Sequence, residues 1–208
     1  MVQCVARSVA FCAVCIVAAA SAQIAPSEPA RADAARLMNE LMAGKSPVGG
    51  PFTLTDQDGH LAGPEEWRGK VSLLYFGYMF CPDACPSALG DIGAAIDALG
   101  TEGARVQPVF VTLDPTRDLP KLRGEYARNF NPRFLALGGT EDEVHRVALA
   151  YKVFYEKVSR PGSDQYLIDH SSFTYVLDAD GRYVGYFPPG TNGKRMAEQL
   201  RALLANKL

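Results

Sequence analysis

The apolar positions of this chain fall into runs of two kinds. Residues 71–80 (VSLLYFGYMF) form a nearly unbroken apolar stretch rich in aromatic side chains, as expected of a strand buried on both faces. Residues 86–99 switch period: Leu89, Ile92, Ala95, Ile96 and Leu99 recur at three-four spacing, Pro86 sits at the start and Gly100 at the stop, which predicts a helix. The same alternation continues with strands at 106–113 and 134–137, and with helices at 119–130 and 140–151. The last of these opens on the capping box Thr140-x-x-Glu143. Two strands, 172–177 and 182–187, flank Asp178-Ala179-Asp180-Gly181 and predict an antiparallel hairpin, and residues 191–206 close the chain as a helix. Near the front, 52–55 alternates and ends in the turn signal Asp56-Gln57-Asp58-Gly59. The order of elements argues an α/β fold with a mixed sheet flanked by helices and a hairpin near the C-terminus.

The first 48 residues do not follow this pattern. Residues 1–22 carry a basic start ending at Arg7, an apolar run of about 14 residues and the small-x-small sequence Ala20-Ser21-Ala22. The run is shorter than the roughly 20 residues a spanning helix needs. A cleaved secretory signal is therefore expected, with an uncleaved membrane anchor as the alternative. The protein is expected to be exported, to a bacterial periplasm, either free or held at the inner membrane. Residues 23–48 read as a linker with one amphipathic stretch at 30–42, in which Ala34, Leu37 and Leu41 share a face. Residues 49–208 are left as the folded domain.

Charge and cysteine content narrow the function. Lys and Arg number 21 against 23 Asp and Glu, a net charge of −2, so no basic field exists to hold nucleic acid. Cys4, Cys12 and Cys15 lie inside the expected signal, which leaves Cys81 and Cys85.

These two stand in Cys81-Pro82-Asp83-Ala84-Cys85-Pro86, at the joint between the buried strand and its helix. The carboxyl end of a strand is where open α/β sheets build their sites. Pro86 disfavours a helical Cys85, so Cys85 is expected to cap the helix, with its thiol acidified by the dipole. Were the segment helical, the two Cα atoms would stand about 6 Å apart, within disulfide range. Three readings follow: an inert disulfide closing a very short loop, a redox dithiol, or a pair of soft metal ligands suited to Cu(I). His170, in Asp169-His170-Ser171, is the candidate third ligand and is expected on a loop just before the strand at 172. Asp83 and Asp169 are candidates to orient these groups, and Met79 is a further soft donor that fits a core position better. His60 follows a turn and faces solvent, His145 lies on a helix, and no Gly-x-Ser-x-Gly elbow supports a hydrolase.

Four blocks of the chain resemble the Sco/SenC proteins. They are Gly49-Gly50-Pro51-Phe52-Thr53-Leu54-Thr55-Asp56-Gln57-Asp58-Gly59, Tyr75-Phe76-Gly77-Tyr78-Met79-Phe80-Cys81-Pro82-Asp83-Ala84-Cys85-Pro86, Val111-Thr112-Leu113-Asp114-Pro115-Thr116-Arg117-Asp118 and Tyr166-Leu167-Ile168-Asp169-His170-Ser171. The resemblance implies a thioredoxin-like fold and copper, as Cu(I) or Cu(II), held by Cys81, Cys85 and His170. It also implies a role as a metallochaperone in cytochrome c oxidase assembly, with the CuA site of subunit II or another copper protein as partner. Cys81 and Cys85 would then double as a redox-active pair, and a thiol-disulfide reductase keeping partner cysteines reduced is the alternative. Met79 departs from the family, which often has Thr there.

Overall fold

The computed structural model describes residues 27–44, 47–159, 162 and 165–205. The expected signal at 1–22 lies outside the described residues. Among those described, no helix is long and apolar enough to cross a membrane.

In chain order the elements are α1 (Glu28–Ala43), β1 (Leu54–Thr55), β2 (Leu61–Ala62), β3 (Val71–Gly77), α2 (Ala84–Leu99), β4 (Val106–Thr112), α3 (Pro120–Arg128), β5 (Leu135–Leu137), α4 (Glu141–Ala150), β6 (Tyr155–Ser159), β7 (Tyr166–His170), β8 (Thr174–Leu177), β9 (Tyr183–Phe187) and α5 (Gly193–Ala205). Five strands form the central sheet in the order β5-β4-β3-β8-β9. β3, β4 and β5 run parallel, and β8 and β9 antiparallel. This is the mixed sheet with a C-terminal hairpin that the pattern predicted. Every residue of β3 and β4 is buried, because helices cover both faces of a sheet built from crossover connections.

Three features differ from the sequence reading. β3 ends at Gly77 rather than at residue 80, since Met79 and Phe80 already belong to the turn that leads to the cysteines. The amphipathic stretch at 30–42 lies within α1, capped by Ser27, and does more than span a gap. Leu37 and Leu41 are buried, Leu41 joins the main core, and Glu40 pairs with Lys152 at 2.9 Å. The third feature is a separate two-stranded antiparallel ribbon, β6 with β7, in a stretch without a strong apolar signal.

The sheet sets two loops side by side. Gly77 at the end of β3 is in register with Thr112 at the end of β4, and the Leu113 amide donates to the Gly77 carbonyl at 2.7 Å. The Met79–Cys85 turn and the Leu113–Leu119 loop therefore leave the sheet as neighbours.

Candidate metal centre

Cys85 is the second residue of α2 and is fully buried, whereas Cys81 lies four residues earlier in the turn and is half-buried. The expected helix cap is thus corrected: Asp83 occupies the N-cap position without a side-chain bond, and Cys85 is already inside the helix. Pro86 tolerates this because the first turn of a helix needs no N–H from it. The Cys81 sulfur takes the capping task, accepting the Cys85 N–H at 3.3 Å. Both thiols are free.

Room for Cys85 comes from Gly77. A Cβ at that position would lie 2.7 Å from the Cys85 sulfur and 2.9 Å from the Tyr75 ring, so any side chain there would displace the ligand.

His170 is the last residue of β7, not a loop residue, and it reaches the cysteines from the ribbon. Its Nε2 stands 3.4 Å from the Cys85 sulfur. Its Nδ1 is 3.1 Å from the Ser171 carbonyl oxygen, which can only accept, so that contact assigns the ring proton to Nδ1. The lone pair on Nε2 is left facing the sulfurs, the tautomer a metal ligand needs. Tyr75 and Tyr78 meet the imidazole edge-on, at 6.2 and 5.9 Å between centroids, and fix the ring plane.

The sulfurs of Cys81 and Cys85 and a ring nitrogen of His170 lie within 4.8 Å of one another, and among the described residues they form the one cluster of this kind. A metal about 2.3 Å from each sulfur and about 2.0 Å from nitrogen wants donors roughly 4 Å apart in a trigonal array. The cluster fits such an ion with small adjustments.

The two thiols divide the proton chemistry unequally. A hydrogen bond from Cys85, which outweighs the opposing effect of burial, brings the Cys81 thiol down to about 4, with further help from the helix-start amides. Cys85 moves the other way, pushed well up by its bond to the Cys81 thiolate and by burial. The acidified thiol expected at Cys85 therefore belongs to Cys81.

The other candidates do not join the cluster. Asp169 is exposed, Asp83 is exposed, and Met79 sits in the turn with its amide bonded to Asp118. His60 pairs with Asp56 at the surface, and His145 rests against Tyr155. The residues that sequence reasoning left without a role are Asp114, Arg117 and Asp118. They follow β4 as the cysteines follow β3, so their place after a buried strand was the available signal. Asp118 is fully buried: one carboxylate oxygen accepts from Thr112 Oγ1 at 2.6 Å and from the Met79 amide at 3.0 Å, while the other has no partner among the described residues. Burial raises its pKa to about 6.

Comparison with known proteins agrees with this geometry. The chain is 43% identical to an SCO2-like protein of Rickettsia prowazekii over 155 residues, 74% of this chain and 76% of the relative. It is 41% identical to the mitochondrial protein SCO1 of Saccharomyces cerevisiae over 144 residues, 68% of this chain and 48% of the relative. The solved structure of Arabidopsis thaliana ScoI with copper bound superposes with a TM-score of 0.70 at 32% identity, covering 76% of this chain and 99% of that one. Yeast Sco1 with copper bound gives 0.69 at 36% identity, with 77% and 90% covered. The fold is thus thioredoxin-like. The SCO1/SenC family model matches residues 41–205, and the chain belongs to that family.

Proposed function

We propose that this protein is a copper metallochaperone. Cys81, Cys85 and His170 bind one copper ion, and the protein delivers it to the CuA site of cytochrome c oxidase subunit II or to another copper protein. The observation that carries the reading is the convergence of two sulfurs and a lone-pair nitrogen within 4.8 Å, with Cys85 buried and Cys81 half-buried. Two thiolates and an imidazole are too few donors for a structural zinc site and suit Cu(I), while the imidazole also serves Cu(II). A copper held partly by an accessible sulfur can be handed to the thiolates of a partner without unfolding the site. The copper-bound state of the Arabidopsis and yeast relatives supports the choice of ion. The family resemblance supports the oxidase as destination. The N-terminal sequence pattern supports export to the periplasm, with residues 1–22 as signal or anchor and 49–208 as the working domain.

A proton count follows from the site. With the Cys81 thiol lowered by its bond from Cys85 and the Cys85 thiol raised in turn, Cu(I) capture near neutral pH should expel fewer than two protons, the last of them from Cys85.

The acidified Cys81 also favours a second reading, thiol-disulfide reduction. The Cys81 thiolate would attack a partner disulfide and release one partner thiolate, which takes the Cys85 proton. Cys85 would then displace the second partner thiolate and leave an intramolecular disulfide. Two electrons pass to the partner and the copper site is lost until the pair is reduced again.

Anaerobic titration of the reduced protein with Cu(I) tests both. One copper per chain is expected, falling to near zero in Cys81→Ser and Cys85→Ser. His170→Ala should weaken copper retention at least tenfold while disulfide exchange continues. If His170→Ala retains copper as the parent does, the three-ligand site is wrong.

A further inference from the structure

The two halves of the site are carried by different pieces of the fold, the cysteine turn after β3 and the β6–β7 ribbon, and besides the rings of Tyr75 and Tyr78 on His170 the side chain of Arg117 contacts both. The Arg117 guanidinium lies over the Tyr166 ring at 3.6 Å and over the Phe80 ring at 4.9 Å. Phe80 immediately precedes Cys81, and Tyr166 is the first residue of the strand that ends in His170. The Arg117 Nη1 also donates to the Tyr166 carbonyl at 3.0 Å, and its Nε pairs with Asp114. Asp114 is fully buried and accepts the Tyr166 hydroxyl at 2.7 Å with its other oxygen. Arg117 itself is 17% exposed at its side chain, with its outer face covered by Phe80, which is exposed.

Side chains two and four residues apart on a strand share a face. Tyr166, Ile168 and His170 therefore point to the same side of β7, and Ile168 is buried there. Holding Tyr166 inward dictates the side on which His170 emerges, about 13 Å further along. Of the other ties of the strand's histidine end, the Ser171–Phe154 bonds at 2.9 and 3.1 Å run to the chain just ahead of β6 and move with the ribbon, while the rings of Tyr75 and Tyr78 meet the imidazole from the β3 side and set its plane rather than the position of the strand.

We propose that Arg117 is the positioning residue of the metal centre: with Asp114 as its counter-ion it clamps Phe80 and Tyr166 in one stack, and so holds the histidine ribbon in register with the cysteine turn. The clamp rests on the three-ligand reading given above for its consequence on copper, but not for its effect on the ribbon. Without Arg117 the dithiol stays in place on β3 and α2, and His170 loses its fixed approach to the sulfurs.

Two measurements on the purified full-length protein test this. In the metal-free, reduced state, Arg117→Gln should speed amide hydrogen exchange in β7 at least tenfold while β3 and β4 are unchanged. Copper retention against a competing chelator should fall about tenfold in Arg117→Gln, and by less than twofold when the same change is made in His170→Ala, because a residue that acts through His170 has nothing left to act on. Tyr166→Leu, which removes the other half of the stack, should reproduce both results and decides the matter if Arg117→Gln does not fold. Unchanged exchange in β7, or an equal copper loss with and without His170, overturns the clamp. A parent protein that binds no copper would overturn the proposed function, and the exchange measurement would still judge the clamp by itself.

Discussion

The central sheet and the β6–β7 ribbon present opposite ways of placing a functional side chain. β3 and β4 are buried along their whole length, pair with neighbours on both sides, and deliver the cysteine turn from the end of a strand that has nowhere to move. In the ribbon only Ile168 is buried among the described residues, the two strands pair there only with each other, and His170 is aimed by an arginine stack, the edges of Tyr75 and Tyr78 and a few polar ties. A two-stranded hairpin alone is marginal in water, so its geometry has to be borrowed from side-chain contacts. The candidate metal centre thus joins a rigid half, fixed by the core, to a lightly held half that a few contacts control. Such a division suits a site that must both grip an ion and give it up.

The contrast can be broken most forcefully in the sheet. Phe110→Ala empties a fully buried position in β4 beside Tyr126 and should cost about 3–5 kcal/mol in denaturant unfolding. A loss below 1 kcal/mol would show that the sheet is not the rigid partner.

Asp118 ties the cysteine turn to the end of β4, and its effect should be smaller. Its folded pKa of about 6 lies above the ordinary 3.8, so between those values the folded state holds more proton than the unfolded one. Its contribution to stability therefore grows as pH falls through that window and is lost as pH rises past 6. From pH 7 to pH 5 the parent should gain about 1 kcal/mol relative to Asp118→Asn, read from paired unfolding curves. Parallel curves would place the proton elsewhere.

The smallest effect belongs to an exposed ion pair of the ribbon. Lys157 pairs with Glu141 at 2.8 Å, but both side chains are largely in water. Lys157→Ala should change global stability by no more than about 0.5 kcal/mol, and a larger loss would mean that surface pairs, rather than Arg117, secure the ribbon.

Much of the architecture was legible because burial writes itself into the period of apolar residues. The run at 71–80, the three-four spacing of Leu89, Ile92 and Ile96, and the Asp178–Gly181 turn each name an element whose stability is local or whose face is plainly apolar. The ribbon was not legible for the complementary reason. Tyr155–Ser159 and Tyr166–His170 bury a single side chain fully, so their pattern resembles that of a polar loop. At the site, the residue types and the four-residue spacing of Cys81 and Cys85 were plain. Which thiol is acidified was misjudged, because that depends on a hydrogen bond between the sulfurs and on where α2 begins.

The sequence by itself determined the mixed α/β sheet, the dithiol at the end of its buried strand and, through the family resemblance, the candidate for a third donor. Only the tertiary structure decided that His170 stands at the end of a strand 3.4 Å from Cys85, that Gly77 makes room for the sulfur, and that Arg117 ties the two halves together. The physical reason is sequence separation. Residues 85 positions apart leave no periodic trace of their contact, whereas neighbours along one strand or helix share a face and show it.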